Sequence, residues 1–266
     1  MDLALKDQVV VISGGGSGIG LAIAREFAHE QARVVLLDRS PEVESVASTL
    51  GEETGLGLIT DVTDEASVIA AADRVWQHFG RVDHVVCAAG IGSGQFGFPF
   101  WNVAPSAWQK VWNVNVMGTV HIAHHFRHAL IANGDSSLLF LSSVAGQMGS
   151  QTDPPYSAAK AAVLNFTQCA AKDFAPYGVR VNCLCPGMVQ TPLNRAVWES
   201  WLRQQPSEKQ LSYEEWTAAK IQQVVPLNRW QTPADMAAMA VFLASHRGRN
   251  ITGQTLNVDG GFVMHW

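Results

Sequence analysis

The chain is poor in charge. Asp, Glu, Lys and Arg make up only 15% of its 266 residues, against 47% hydrophobic residues, and the formal net charge is −5. That balance excludes a disordered chain, which is rich in charge and poor in apolar side chains. No basic surplus exists to neutralise a phosphate backbone, so no nucleic-acid partner is expected. Cysteine is scarce too: Cys87, Cys169, Cys183 and Cys185 form neither a C-x-x-C pair nor a disulfide framework, and are expected to be buried reduced thiols of a cytosolic protein. No apolar run approaches the ~18 residues of a membrane span. The opening MDLALKDQVVVISGGG is broken by charge, unlike a signal peptide. The expectation is a cytoplasmic protein with no membrane partner and no resident metal. Repeats, low-complexity tracts and linkers are also missing, and a chain of this length buries a sizeable core without metal or disulfide staples.

What is present is alternation. Short β-branched runs begin at Gln8, Arg33, Leu56, His84, Ser137, Arg180 and Thr255, separated by stretches of helical spacing. The pattern predicts helices over Ile19–Glu30, Pro41–Leu50, Asp64–Phe79, Tyr156–Ala175 and Thr232–Ser245, and one long helix over Pro105–Ile131. Strands alternating with helices imply an α/β fold: a doubly wound, seven-stranded parallel sheet with helices on both faces. One stretch, Met188 to Arg229, breaks the rhythm. An insertion this long before the last helix is expected to be a substrate lid. Trp198, Trp201, Trp216 and Trp230 fall in or beside it, with Trp101 in a facing loop.

Gly14-Gly15-Gly16-Ser17-Gly18-Ile19-Gly20 lies between the first strand and first helix. Glycines there allow a tight turn and let backbone approach a pyrophosphate at a helix N-terminus. Asp38 ends the second strand, where an acid can accept hydrogen bonds from an adenosine ribose and repel a 2′-phosphate. The charge argument favours NAD, with NADP less expected, although the neighbouring Arg39 could hold a phosphate. Ala88, Ala89 and Gly90 after the fourth strand are small enough for backbone to pass close to such a cofactor.

Tyr156 and Lys160 stand four residues apart, on one face of a predicted helix. A phenol is a poor base at neutral pH, and a nearby cation favours its ionised form. The pair can act as general acid or base on an alcohol or carbonyl. It also fits an ordinary helix surface.

These residues, taken in order, resemble the short-chain dehydrogenase/reductase family over essentially the whole chain. The glycine turn resembles that family's T-G-x-x-x-G-x-G, with Ser13 for the threonine. Tyr156 and Lys160 match its Y-x-x-x-K, and Ser143 stands thirteen residues before the tyrosine. Asn115, Asp61-Val62, the stretch from Asn182 through Pro186-Gly187 to Thr191, and Asp259-Gly260-Gly261 match its other motifs. The family's N-N-A-G is replaced by Cys87-Ala88-Ala89-Gly90. The resemblance implies a single Rossmann domain over 1–266, with 188–229 as the lid. It also implies a homotetramer, or a homodimer, packed through the long helix. By the same resemblance Tyr156 exchanges a proton with the substrate oxygen and Lys160 lowers its pKa and binds the nicotinamide ribose. Ser143 holds the reacting oxygen, and Asn115 supports a water relay. Ser17, Gly18, Ile19, Asp61, Val62, Pro186, Gly187, Val189 and Thr191 join Gly14, Gly20 and Asp38 around the cofactor.

Candidate substrate contacts are Ser93, Gln95, Phe98, Gln151, Asp153, Asn194 and Trp198. Amides, hydroxyls and an acid beside tryptophans suit a sugar, polyol or other small secondary alcohol. A 3-oxoacyl or 3-hydroxyacyl thioester or a steroid-like ketone is the alternative substrate. A non-catalytic NAD-binding sensor is the alternative of another class. His121, His124, His125 and His128 crowd one helix but lack a completing carboxylate or cysteine, and are expected to be an exposed or interface patch.

Overall fold

Seven parallel strands form one sheet: β1 (Val9–Ser13), β2 (Arg33–Asp38), β3 (Gly55–Ile59), β4 (His84–Cys87), β5 (Ser137–Leu141), β6 (Arg180–Pro186) and β7 (Thr255–Val258). Their order is β3-β2-β1-β4-β5-β6-β7, so the winding direction reverses between β1 and β4. This is a single-domain Rossmann fold, seen in a computed structural model that describes residues 2–51, 55–95 and 99–265. A cleft for ligands is expected at the carboxyl ends of the strands flanking such a reversal.

Strand side chains alternate between faces, and both faces are covered. On one face Val11, Val85, Phe140 and Cys183 pack against Ile122 and Phe126 of α5 (Gly118–Asn133) and Val163 of α6 (Pro154–Phe174). On the other, Val10, Ile12, Leu36 and Leu184 meet Ile23 and Phe27 of α1 (Gly18–His29) and Met236 and Val241 of α9 (Pro233–Ala244). Local signals set the helix ends. Asp64 caps α3 (Glu65–Phe79) by accepting the Ala66 N–H, and Gly80 ends it in the left-handed region at φ 65°. A short α2 (Val43–Ser48) links β2 to β3. No helix among the described residues is long and apolar enough to cross a membrane.

The predicted long helix from Pro105 is interrupted. It runs as α4 (Pro105–Trp112), a π-helical turn (Asn113–Met117) and then α5. The extra residue of a π turn re-aims side chains, and the turn contains the buried Asn115. β5 ends at Leu141, and Ser143 caps the 3-10 turn that follows (Val144–Gly146) by accepting the Ala145 N–H. The 188–229 insertion carries α7 (Pro192–Leu202) and α8 (Tyr213–Val224), the latter opened by a Ser212–Glu215 capping box. The expectation of four buried thiols is corrected at Cys169, which is exposed on α6.

His84 sits at the start of β4, buried, with Nδ1 on the Ser137 hydroxyl and Nε2 on the Gln8 side-chain oxygen. Gln8 Oε1 is an acceptor, so Nε2 carries the proton and Nδ1 accepts from Ser137. Burial pushes its pKa down to about 4. An unfolded histidine titrates near 6.5, so the unfolded chain binds the extra proton first. Stability is therefore expected to fall as pH drops from about 6.5 toward 4, by up to ~3 kcal/mol from this group. Urea midpoints measured across that window in wild type and His84→Gln check it; the variant should show the shallower pH dependence.

Candidate active site

The glycine turn lies between β1 and α1, as its spacing predicts. Gly14 adopts φ +69°, and a Cβ there would stand 2.6 Å from the Ala89 nitrogen. A Cβ on Gly20 would stand 2.1 Å from the Gly14 carbonyl oxygen. Only glycine fits either place. Gly18, at φ +55°, faces open space. Ser17 is the N-cap of α1, yet its side chain makes no capping bond, and the first turn holds no acidic residue. The first N–H groups of α1 are thus left for an outside acceptor with no local negative charge to repel it. That arrangement fits a pyrophosphate. Asp61, after β3, accepts the Thr63 N–H and hydroxyl at 2.8 and 2.7 Å, and these bonds hold its carboxyl below the usual range. Val62 packs beneath α5, its methyl 2.6 Å from where a Gly118 Cβ would be.

Asp38 stands at the end of β2, but its carboxylate is engaged. One oxygen accepts the Gly16 N–H and the other the Ser40 N–H, each at 3.0 Å. The acid braces the glycine turn against the sheet.

The four residues singled out by the resemblance come from three segments. Ser143 follows β5, Tyr156 and Lys160 lie on the first turns of α6, and Asn115 lies in the π turn. The Ser143 side chain lies beside the Tyr156 hydroxyl, near enough to favour its ionised form. Lys160 is buried; its Nζ donates to the Leu141 carbonyl at 2.7 Å and lies 5.6 Å from the Tyr156 ring centre. The Asn115 amide donates to the Ile91 carbonyl at 2.9 Å and accepts the Ile91 N–H at 2.8 Å. Gly90 lies over both, since a Cβ there would meet Lys160 Nζ at 3.3 Å and Asn115 Oδ1 at 3.4 Å. Ser142 faces the other way and donates to the Lys160 carbonyl at 2.8 Å.

Burial governs the electrostatics. It pushes the half-buried Tyr156 phenol up to about 12, with the Ser143 hydrogen bond pulling the other way. It pushes Lys160 down to about 8, against the upward pull of the Cys183, Cys185 and Cys87 thiols around its ammonium. Desolvation is the largest influence on the phenol in this state. The Leu141 carbonyl and the thiol floor were not foreseen. A backbone acceptor carries no sequence signal, and the thiols' place depends on which sheet face they share.

After β6, Gly187 presses on Asp259, whose Cβ would stand 2.7 Å from an added Gly187 Cβ. Val189 is buried and bridges to Gln231, which lies beside Gly187 and leaves its buried side-chain oxygen without a partner. Thr191 caps α7 by accepting the Asn194 N–H at 3.2 Å.

The substrate candidates are less united. Asn194 accepts from the Tyr213 hydroxyl at 3.0 Å, and Trp198 donates to the Leu211 carbonyl at 3.1 Å. Both are engaged within the lid, where Arg195 lies 5.8 Å from the Trp198 ring and 5.0 Å from the Tyr213 ring. Ser93 and Gln95 bond to one another, and Gln95 also accepts the Ala104 N–H. Gln151 is not with them: it lines a cavity of about 780 Å³ with Phe100, Trp101, Met148 and Ala158, and none of the four central residues lines it. Phe98 lies outside the described residues. Of the four histidines, His121 bonds the Val62 carbonyl and His125 pairs with Glu65 across α3, so only His124 and His128 are exposed.

Residues 14–263 match a family model described as enoyl-(acyl carrier protein) reductase. The chain is 34% identical to a cis-4-hydroxycyclohexanecarboxylate dehydrogenase of Sinomonas cyclohexanicum, over 99% of both chains. It is 34% identical to an uncharacterized short-chain type dehydrogenase/reductase of Sinorhizobium fredii, over 99% of this chain and 100% of the relative. L-sorbose reductase from Gluconobacter frateurii, solved with NADPH and L-sorbose, superimposes with a TM-score of 0.89 at 29% identity, covering 100% of both chains. That complex overturns the expectation of NAD with NADP less favoured. The physical reason is that one acid does not by itself exclude a 2′-phosphate: Asp38 also braces the turn through the Gly16 and Ser40 N–H groups, and Arg39, next in sequence, is a cation able to pair with a phosphate. The chain belongs to the short-chain dehydrogenase/reductase family, whose members are NAD(P)-dependent oxidoreductases acting on CH–OH groups.

Proposed function

We propose that the protein interconverts a sugar, polyol or other small polar secondary alcohol and its ketone at the Ser143–Tyr156–Lys160–Asn115 site. The observation that carries this reading is the convergence of Ser143, the Tyr156 hydroxyl and the buried Lys160, with Asn115 bound to Ile91 alongside. A bound nicotinamide dinucleotide supplies the hydride acceptor or donor. The Gly14–Gly20 turn and the free first turn of α1 would hold its pyrophosphate. Asp61 and Val62 would line the adenine side, with Asp38 bracing the turn. Ala88–Gly90, Pro186–Gly187, Val189 and Thr191 would flank the nicotinamide half.

Within that frame the chain's own groups act on the substrate oxygen. Ser143 donates a hydrogen bond to it. Tyr156 gives it a proton in the reducing direction and takes one in the oxidising direction. Lys160, one helical turn on, carries a positive charge that stabilises the phenolate as it forms. Asn115 fixes the Ile91 backbone beside the lysine and so keeps open the route by which water replaces the proton. The lid excludes bulk water from the reacting pair.

The polar substrate class is supported by what the similar proteins act on and by the tryptophans and tyrosine of the 188–229 insertion, whose ring faces suit C–H surface. The relatives act on a hydroxycyclohexane acid and on L-sorbose. Initial rates on a panel of polyols, aldoses, ketoses and 3-hydroxyacyl thioesters, each with NAD and NADP, test it. The highest kcat/KM is expected on a polyol or sugar. A thioester turned over with the highest kcat/KM would replace this reading with the acyl one.

A further inference from the structure

Asp153 precedes α6 by one residue and carries two bonds that join separate segments. Its Oδ1 accepts the Tyr156 N–H at 3.3 Å and so caps the helix. Its Oδ2 accepts the Ser93 N–H at 2.8 Å, across sixty residues of chain. The approach is close enough that a Cβ on Gly92 would stand 2.9 Å from the same oxygen. Each oxygen thus serves a backbone donor on a different segment. No cation pairs with it among the described residues.

We propose that Asp153 is a positioning residue: its carboxylate ties the Ile91–Gln95 loop to the start of α6, the helix that carries Tyr156. The proposal rests on the reaction assigned to Tyr156 above. The loop it ties is the one that Asn115 grips at Ile91 and that the Ser200 hydroxyl meets at the Gly94 carbonyl. Asp153 is thus the link between the π turn's loop and the helix that bears the phenol. Burial holds the Asp153 carboxyl above the usual range, with the Ser93 and Tyr156 bonds opposing.

The test compares wild type with Asp153→Asn and Asp153→Ser. The asparagine keeps the shape, removes the charge and leaves one acceptor for two donors. The serine keeps the helix cap and removes both the charge and the reach to Ser93, so a variant with a sound α6 is available if the asparagine folds poorly. Backbone hydrogen exchange at Ser93 is expected to rise about tenfold or more in both. KM should rise several-fold, while kcat stays within about threefold. Unchanged exchange at Ser93, or a KM equal to that of wild type in an active variant, overturns the tether. Should wild type oxidise no alcohol at all, the assigned reaction fails, and Ser93 exchange still decides the tether.

Discussion

Tyr156→Phe is expected to lower kcat by about 10³-fold or more, because it removes the proton donor and acceptor and nothing else. The substitution deletes one oxygen from a ring whose packing stays in place. The Ser143 side chain loses its partner but keeps the Ala145 N–H, which it accepts at 3.1 Å. No part of the glycine turn or of α1 touches the change, so the dissociation constant of the dinucleotide should stay within about twofold. Stopped-flow turnover together with titration of cofactor binding gives both numbers. Loss of binding in parallel with turnover would mean that the phenol holds the cofactor and does no proton chemistry.

Lys160→Met has the second largest expected effect, and it splits stability from activity. The ammonium is buried, donates to one carbonyl and has thiols, not carboxylates, as its titratable neighbours. Its pKa falls from 10.5 to about 8 on burial, a difference worth about 3 kcal/mol against the charged form. The sign is worked from the protons: between about pH 8 and 10.5 the unfolded chain holds this proton and the folded one does not. Stability from this group therefore rises with pH through that window and is lowest below 8. Methionine removes the penalty and leaves the Leu141 carbonyl unpaired, which costs about 1–3 kcal/mol. The two terms nearly cancel, so Tm at pH 7 should be equal to or above that of wild type. Turnover should fall about 10²-fold or more. A Tm several degrees lower would mean that the lysine is held for stability.

The parts of the site that local spacing determines were legible. The glycine turn, the four-residue offset of Tyr156 and Lys160, and the alternation of strands and helices are short-range patterns, and the sheet and helices form where those patterns lie. What escaped was set by tertiary direction. The π turn at Asn113–Met117 inserts its extra residue within a sequence that reads as continuous helix. Asp38 carries the right charge at the right place, yet its oxygens turn to Gly16 and Ser40, a choice made by backbone geometry. That Asp153 joins Ser93 to the start of α6 depends on how those distant segments meet. The 188–229 insertion is legible as a long aromatic stretch, but that Trp198 and Tyr213 pack around Arg195 depends on how α7 and α8 meet. Gln151 follows Ser143 closely in the chain, yet the turn between them carries it to the cavity lined by Phe100 and Trp101.

The most direct measurement follows the hydrogen itself. Wild type is given a secondary alcohol deuterated at the carbinol carbon, chosen as the substrate of highest kcat/KM, together with the oxidised dinucleotide. Mass spectrometry of the recovered reduced cofactor should find the deuterium in the nicotinamide ring, one atom per ketone formed, with transfer suppressed in Tyr156→Phe. Ketone formed without deuterium in the cofactor, or transfer at equal rate in the phenylalanine variant, would contradict the assignment of hydride transfer to this site and of the proton to Tyr156.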